Sequence, residues 1–472
     1  MQSAGTHFKL IWRWTSASPR TSAEWTQGDL WVYLDGALVW GKEHGSTPIG
    51  VAWTWIELAE RLAETWNALR FEAGYPLQGL TKTPISPAAF EAYCEEVKEK
   101  LLPSQLEEAE STFYDFSEAH DLSRGLQGIV LPPLWFVREG QLAVLASGSK
   151  TLRIPLEEAF ATLSAFAEAV LERARQSGDE RSSEATRAWA ERSSIDAETF
   201  ASLATGMSTA ELAALSPGND LMSWLEVERE KPELNELAIA ARSTHGRLTP
   251  DSAAMLLHRI RQEHGHFSDR LQKWTALALQ AMQSCLDPAP FAQGIQVARS
   301  LRSAFLDARQ PVDVGHVLEL LDVSVDRLAL DASSIDALAA WGPRRGPLFL
   351  LNTSALGSDA RVRERASLAH ELCHLLVDRD SSRPFGDLLS GLESGPSEQR
   401  ANAFAAEFLM PGDVAGAALA KAASAAEARS AVRELAKQYE VSWQIVCRQC
   451  LNSGAMFAPG VRGFLEEKSR AG

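Results

Sequence analysis

Residues 366–377 read ASLAHELCHLLV, and they decide how the last third of this chain folds. The stretch is apolar apart from Ser367 and three motif residues, His370, Glu371 and His374, so it predicts a buried helix whose polar groups need partners. Its H-E-x-x-H pattern is rare by composition. With 10 histidines in 472 residues, and all acids counted as Glu, fewer than roughly 0.03 occurrences are expected by chance.

The spacing of this motif indicates a metal site. His370 and His374 are four residues apart, so both project from one helical face with their rings close enough to bind a single ion. Glu371 follows about 100° round the helix, beside the ion, where a catalytic base belongs. Cys373 points sideways from the same helix, which favours packing over metal binding.

A catalytic zinc usually takes three protein ligands and leaves a fourth position for water, so a further ligand must come from elsewhere. Residues 398–411, EQRANAFAAEFLMP, predict a second helix that begins with Glu398. The stripe of Glu398 continues through small or apolar residues that permit close packing: Ala401, Ala405 and Phe408. Glu407 lies on the opposite side of this helix, so only one of the two acids can face the metal, and the stripe favours Glu398.

Asp378 is another acid near the motif, because it continues the stripe of His370 and His374 at the next i+4 position. Three successive ligands from one straight helix would spread by about 12 Å along its axis, at about 1.5 Å per residue. Asp378 is therefore expected to lie behind the ligands or at the surface.

Composition and length set the class of protein. The chain has 472 residues, 45% of them hydrophobic and 23% charged, which indicates two to four globular domains and argues against a disordered, collagenous or fibrous protein. Its net charge of -16 disfavours nucleic-acid binding without a local basic cluster. The absence of an apolar run of about 18 residues or of a secretory signal, together with five scattered cysteines, predicts a cytoplasmic protein without a membrane segment.

Residues 1–180 predict a Trp-rich α+β domain, since eight of the 14 tryptophans lie in the first 66 residues. Alternation over residues 8–14 predicts a strand, and Asp35-Gly36 predicts a tight hairpin within residues 30–40. A helix carrying Trp55 and Trp66 follows. The tryptophans could form an exposed surface that senses a signal or binds a partner, but their periodicity favours core packing.

The middle of the chain, residues 196–285, predicts a helical domain. Its segment 206–213, GMSTAELA, has a Ser208 that can cap a helix, with Leu212 and Ala213 packing inward. Residues 198–245 thereby resemble the helix-turn-helix of the phage-repressor-like XRE family. The segment expected to read DNA, 217–224, contains no Lys or Arg. A helical bundle that kept the fold without the ligand is therefore favoured, and DNA binding stays open as the minority interpretation.

The C-terminal domain, residues 291–472, carries a second resemblance. Leu348–Asn352, the H-E-x-x-H helix and the helix of residues 398–411 together resemble the ImmA/IrrE family of metallo-endopeptidases, over about residues 294–454. The resemblance implies that His370, His374 and Glu398 are zinc ligands and that Glu371 is the catalytic base. The family often joins such a peptidase to an XRE module and cleaves repressor-type proteins. Here Cys373 replaces the usual glycine of the motif, which removes no ligand.

These observations predict an α+β protein in which a Trp-rich domain and a helix-turn-helix-like middle precede a mostly helical, zincin-like peptidase domain with a small sheet. The expected activity is hydrolysis of a peptide bond in a specific protein, a repressor or another regulator, by one catalytic Zn²⁺ with Glu371 as base on a zinc-bound water. Two alternatives stay open. One is a transcription regulator whose metal domain senses a ligand or ion without cutting, and the other is a scaffold whose Trp-rich domain binds a partner protein.

Overall fold

The protein is a mixed α+β chain, as the sequence predicts. The computed structural model describes residues 1–15, 18–45, 47–72, 87–98, 102–139, 142–215, 236–244, 248–307, 309–331, 335–342, 344–354, 360–379, 385–389 and 396–470. Contacts between Cα atoms divide the chain into two compact units, Met1–Gly246 (unit 1) and Arg247–Gly472 (unit 2). The finer division into domains 1–180, 196–285 and 291–472 stays a prediction. Among the described helices, none is both long and apolar enough to span a lipid bilayer.

Unit 1 begins with an antiparallel sheet. Its strands are β1 Gln2–Ala4, β2 Phe8–Trp14, β3 Gln27–Leu34, β4 Ala37–Trp40 and β5 Val51–Thr54, with the short helix α1 Ser22–Trp25 between β2 and β3. The order is β1-β2-β3-β4, and β5 also pairs with β3. The predicted strand and hairpin are confirmed. Asp35 and Gly36 turn between β3 and β4 with φ angles of 46° and 79°, which glycine adopts readily and Asp tolerates.

The second part of unit 1 is helical around a smaller sheet. The elements are α2 Ile56–Phe71, α3 Pro87–Val97, α4 Pro103–His120, β6 Trp135–Glu139, β7 Leu142–Ser147, β8 Lys150–Pro155, α5 Leu156–Ala174 and α6 Glu180–Glu191. Strands β6, β7 and β8 pair in that order, antiparallel. Helices α2 and α5 pack against the strands and bury their apolar stripes in one core with the first sheet.

The tryptophans of the first 66 residues pack in this core. Five of the eight are buried, namely Trp12, Trp31, Trp40, Trp55 and Trp66, and the other three are partly buried. Two of the buried indole N–H groups bond to backbone carbonyls: Trp55 donates to Gly28 O at 2.9 Å and Trp40 donates to Pro132 O at 2.9 Å. The core-packing interpretation is therefore confirmed, because none of these eight rings is left as an exposed platform.

Unit 1 ends with three described helices, α7 Ala197–Thr205, α8 Thr209–Leu215 and α9 Glu236–Thr244. The predicted cap is present: Ser208 Oγ accepts from the Glu211 N–H at 3.3 Å, and Glu211 Oε2 accepts from the Ser208 N–H at 2.7 Å. Leu212 is buried as expected, whereas Ala213 is exposed, because α8 turns that face to solvent. The segment 217–224, expected to read DNA, lies outside the described residues, so the helix-turn-helix stays a prediction.

Unit 2 is a helical unit around a four-stranded sheet. The strands are β9 Ser324–Leu328, β10 Ile335–Ala340, β11 Leu348–Asn352 and β12 Phe385–Leu389, in the order β12-β10-β11-β9. Strands β9 and β11 run parallel and the other pairs antiparallel. The strand predicted at 348–352 is confirmed, and all five of its residues are buried.

The described helices of unit 2 lie before, within and after the segment that forms this sheet. They are α10 Pro250–Gln262, α11 Asp269–Gln283, α12 Pro290–Phe305, α13 Val314–Leu320, α14 Ala360–Val377, α15 Pro396–Leu409, α16 Gly412–Leu419, α17 Ala425–Tyr439, α18 Trp443–Asn452 and α19 Pro459–Arg470. Helices α11, α12, α14 and α15 contribute to one hydrophobic core with the sheet. Cys373 is buried in that core, as the packing interpretation predicts.

Helix α12 packs closely on α15 because it has a glycine at the crossing. A Cβ atom at Gly294 would stand 2.2 Å from Arg400 O and 3.0 Å from Phe404 N. These are backbone atoms that cannot move aside independently, so only glycine fits at this position. The close crossing fixes how far α15 lies from α12. Helix α15 carries Glu398, the acid predicted to face the motif histidines.

Candidate metal centre

Helix α14 carries the H-E-x-x-H motif through the core of unit 2. It spans Ala360–Val377, and all of its residues from Ser367 to Val377 are buried, which confirms the predicted buried helix. The apolar residues of this stretch supply the burial. The three ionisable motif residues are then held away from bulk water, where each needs a partner of opposite charge, a hydrogen bond or a metal.

Three of the predicted site residues meet at one point. His370 Nε2 and His374 Nε2 lie 3.0 Å apart, and Glu398 places Oε2 3.0 Å from His370 Nε2 and Oε1 3.1 Å from His374 Nε2. Their ligand atoms all lie within 4.8 Å of one another, and all three residues are buried. Among the described residues, no other group of three or more His, Cys, Asp or Glu side chains could hold a metal ion.

The donor set fits a zinc ion. Ligand atoms about 2.0–2.1 Å from a tetrahedral zinc are roughly 3.3 Å apart, close to the separations that these atoms already have. The types of ligand fit as well, because imidazole nitrogens and carboxylate oxygens are common ligands of zinc in proteins.

The competing acid of α15 has another role. Glu407 is buried, but it accepts from Arg299 Nε at 2.7 Å, from Gln449 Nε2 at 2.6 Å and from the Gly412 N–H at 3.1 Å. It therefore stabilises the junction of α15 with α12, α16 and α18. The sequence preference for Glu398 as the acid facing the histidines agrees with this geometry.

The outer nitrogen of each histidine has its own acceptor. His370 Nδ1 lies 3.1 Å from Asn402 Oδ1, and His374 Nδ1 lies 2.9 Å from Asp378 Oδ2. A hydrogen placed on each Nδ1 satisfies both contacts and leaves the Nε2 lone pairs directed at the common point. Asp378 thus lies behind the ligands, as expected from its spacing.

Asn402 is a part of this arrangement that was not predicted from the sequence. The available signal was its position four residues after Glu398, which places it on the face that looks towards α14. Arg400 was missed as well, although it pairs with Asp378 Oδ1. A lone arginine two residues after Glu398 gives no spacing signal, because its partner lies on another helix.

Burial and neighbouring charges separate the pKa values of the three groups. Burial lowers the pKa of His370. Burial also acts to lower the pKa of His374, but hydrogen bonds with Asp378 and Glu398 outweigh it and raise that pKa to about 10. The carboxyl of Glu398, which burial alone would make less acidic, has its pKa held well below the usual range by both histidines. A metal would therefore displace a proton from His374.

Glu371 is fully buried beside this group. Its relative exposure is 0%, and its negative charge contributes to the raised pKa of His374. It comes one residue after His370 on α14 and is not one of the three converging residues. Its role as the catalytic base therefore stays a prediction.

The family model of Peptidase_M78, described as the IrrE N-terminal-like domain, matches residues 322–451. The match is to a peptidase family. It lies within the segment that resembles the ImmA/IrrE family and contains His370, Glu371, His374 and Glu398. It therefore supports a metallopeptidase-like domain in unit 2, and it does not cover the segment 198–245 that resembles a helix-turn-helix. No curated protein matches the chain significantly.

Proposed function

We propose that this chain is a cytoplasmic, zinc-dependent endopeptidase that hydrolyses a peptide bond in a specific protein. The observation that carries the proposal is the convergence of His370, His374 and Glu398 within 4.8 Å, with the buried Glu371 next along α14. The match to a peptidase family over the same residues supports it.

One zinc ion would be held by the Nε2 atoms of His370 and His374 and by the carboxylate of Glu398. When bound, zinc supplies Lewis-acid chemistry, since it lowers the pKa of a coordinated water to about 7 and polarises a carbonyl oxygen. The three ligands carry one formal negative charge, so a dication bound to them keeps a net positive charge. That charge favours the negative charge that develops during amide hydrolysis.

Glu371 is the general base and then the general acid in this proposal. Its carboxylate accepts a proton from the attacking water and later donates it to the nitrogen of the leaving amine. The buried setting suits this role, because exclusion of bulk water strengthens the interaction of the carboxylate with the reacting atoms. The ligands His370 and His374 cannot act as this base, because their Nε2 lone pairs would be occupied by the metal.

The substrate that we propose is a transcriptional repressor or another regulatory protein. The support is the ImmA/IrrE resemblance together with the XRE-like segment 198–245. In this scheme the peptidase domain 291–472 does the cutting, and the middle domain 196–285 and the Trp-rich domain 1–180 gate it or choose the substrate. DNA binding by the middle domain is a minor part of the proposal, since the segment 217–224 contains no Lys or Arg.

The test compares a host that expresses the wild-type chain with one that expresses Glu371→Gln, and it catalogues new protein N-termini during growth and stress. Loss of the base should lower the cleavage rate by about 10²–10⁴-fold while zinc stays bound. Glu319→Gln is the matched control, because the side chain of Glu319 is 81% exposed in the same unit. Identical N-termini in the two hosts, with zinc bound in both, would leave proteolysis without support and favour a sensor.

A further inference from the structure

A chain of hydrogen bonds runs outward from one of the two histidines. His374 Nδ1 lies 2.9 Å from Asp378 Oδ2, and the other carboxylate oxygen of Asp378 accepts from Arg400 Nη2. Arg400 Nη1 in turn donates to Gln293 Oε1 at 3.2 Å. The chain therefore connects α14, which carries Asp378 just beyond its end, with α15 and then with α12.

The central ion pair of this chain is shielded from solvent. The side chains of Asp378 and Arg400 are each 13% exposed, unlike most of the ion pairs at the surface of this protein. A shielded pair with a charge-assisted hydrogen bond holds its geometry better than an exposed pair, whose side chains exchange with water. Asp378 is thus fixed from one side by Arg400 and can fix the ring of His374 from the other.

The other histidine is held more weakly. His370 Nδ1 faces the neutral amide oxygen of Asn402 at 3.1 Å, and Asn402 is exposed. A neutral acceptor in contact with water fixes a ring less firmly than a shielded carboxylate. The two ligands from α14 thus differ in the support behind them, and the stronger support belongs to His374.

We propose that Asp378 and Arg400 are positioning residues, which fix the tautomer and ring orientation of His374 so that Nε2 stays directed at the metal, and that Gln293 is their outer anchor. The inference rests on the metal centre of the proposed function. It adds residues that the ligand set does not contain. Outer partners of this kind typically change metal affinity by about 10–100-fold when they are removed.

The outer anchor lies on a helix that precedes the segment matched by the family model, which begins at residue 322. Gln293 comes directly before Gly294, whose lack of a side chain allows α12 to lie against the backbone of Arg400. The same crossing therefore positions both the helix that carries Glu398 and the residue that supports Arg400. In this way α12 becomes part of the metal centre without supplying a ligand.

The experiment measures the zinc dissociation constant of the full chain by competition with a chromophoric chelator. We expect binding about 10–100-fold weaker for Asp378→Asn, a smaller loss for Arg400→Met and the smallest for Gln293→Leu. Absorption bands of the Co²⁺-loaded protein provide a second readout. They report the geometry around the metal, and they should shift in Asp378→Asn, which a purely structural role would not cause.

Asp336→Asn is the matched control. Asp336 pairs with Arg363 at 2.8 Å, has a side chain only 11% exposed and lies in the same unit. Its hydrogen bonds within the described part of the chain go to Arg363 and not to a proposed metal ligand. Its loss should lower folding stability and leave both zinc affinity and the Co²⁺ spectrum unchanged. If Asp378→Asn fails to fold, Arg400→Lys replaces it, since lysine keeps the charge and loses the fork that holds Asp378.

If Asp378→Asn and Arg400→Met bind zinc within about twofold of the wild-type affinity, the positioning role is overturned. An equal loss in Asp336→Asn would also overturn it, because the effect would then be general destabilisation. The outcome is independent of cleavage. Weaker zinc binding by Asp378→Asn and Arg400→Met supports the inference even if the wild type cuts no protein, a result that would count against the proposed function alone. A wild type that binds no zinc would overturn both.

Discussion

Each compact unit buries a histidine beside a carboxylate that an arginine also contacts, yet only one of these clusters resembles a metal site. In unit 2 the residues are His374, Asp378 and Arg400. In unit 1, His120 Nε2 lies 3.1 Å from Glu72 Oε2, and Arg242 Nη2 donates to Glu72 Oε1 at 3.3 Å. Residue types and burial are therefore nearly the same in the two clusters.

The difference is how many ligand atoms meet at the second ring nitrogen of the histidine. His120 Nδ1 lies 2.8 Å from the carbonyl oxygen of Phe136, so both of its ring nitrogens already face protein acceptors, and its ring stacks on Phe116 at 3.8 Å. In unit 2 the carboxylate of Asp378 contacts Nδ1 of His374, and Nε2 of His374 faces the other two proposed ligands. A histidine, an acid and an arginine thus make a structural cluster unless further ligand atoms converge on the second ring nitrogen.

The largest expected effect comes from removing a converging ligand. Binding of a structural zinc is worth about 10–16 kcal/mol over four ligands, so His370→Ala should cost roughly 2.5–4 kcal/mol, or about 70- to 900-fold in zinc affinity. His120→Gln, the counterpart in unit 1, should leave zinc affinity unchanged. Chelator competition on both variants tests the contrast, and a loss of zinc binding in His120→Gln would abolish the distinction between the clusters.

The structural cluster should show its effect in stability instead. Arg242→Met leaves the buried carboxylate of Glu72 with His120 alone, and removal of one partner of a buried pair costs about 3–5 kcal/mol. Urea unfolding followed by tryptophan fluorescence measures this loss, because unit 1 is rich in tryptophan. Arg13→Met, at the exposed ion pair with Asp29, is the control and should cost less than about 1 kcal/mol.

The pKa of Glu72 gives this prediction a pH dependence. Burial acts to raise that pKa, but the hydrogen bond with His120 and the charge of Arg242 outweigh it, so the net shift is downward from 4.5. A lowered carboxyl pKa contributes stability that is present above the unfolded value and is lost as pH falls below it. The stability difference between wild type and Arg242→Met should therefore shrink below about pH 4.5. A constant difference across that range would argue against an ionised Glu72.

The two clusters also differ in how much of them could be read from the sequence. The motif spacing and the stripe through Glu398 indicated the converging ligands, because helical periodicity alone places them. The cluster of unit 1 gave no such signal, since Glu72 lies 48 residues from His120 and 170 from Arg242. Contacts between distant elements depend on packing, which local spacing does not encode.

The same limit explains the parts of the fold that were and were not predicted. Alternation and the Asp35-Gly36 turn predicted the hairpin of β3 and β4, and the tryptophan stripes predicted the core. The pairing of β5 with β3 was not predictable, because several strands could have occupied that edge. Likewise Arg400 and Gln293 became part of the candidate site only through the crossing of α12 with α15.

The release of a proton on zinc binding should also distinguish the cluster of unit 2 from that of unit 1. Since the pKa of His374 is raised to about 10, its proton stabilises the metal-free protein below pH 6.5, and that contribution is lost as pH rises through about 10. Zinc must displace this proton, so the apparent affinity should rise about tenfold per pH unit between roughly pH 7 and 9. His120→Gln should keep this slope, while Asp378→Asn should flatten it. A pH-independent affinity in the wild type would contradict a protonated His374.

The smallest effect concerns a carboxylate that neither a histidine nor an arginine holds. Asp179 caps α6, accepting from the Ser182 N–H at 2.8 Å and from the Ser22 N–H at 2.6 Å. Burial acts to raise its pKa, but these backbone donors outweigh it and lower the pKa to about 2. Asp179→Ala should destabilise unit 1 by about 1 kcal/mol at neutral pH, the usual cost of losing an N-cap.

Asp179→Asn separates the charge of this cap from its hydrogen bonds, because asparagine caps helices about as well as aspartate. The charge contributes stability above the ordinary pKa of 3.8 and loses it as pH falls towards about 2. Urea unfolding should therefore show the difference between wild type and Asp179→Asn vanishing across that window, while Asp179→Ala keeps part of its deficit. A wild-type curve that stays parallel to that of Asp179→Asn across that window would mean that the hydrogen bonds alone stabilise the cap and that its charge contributes nothing.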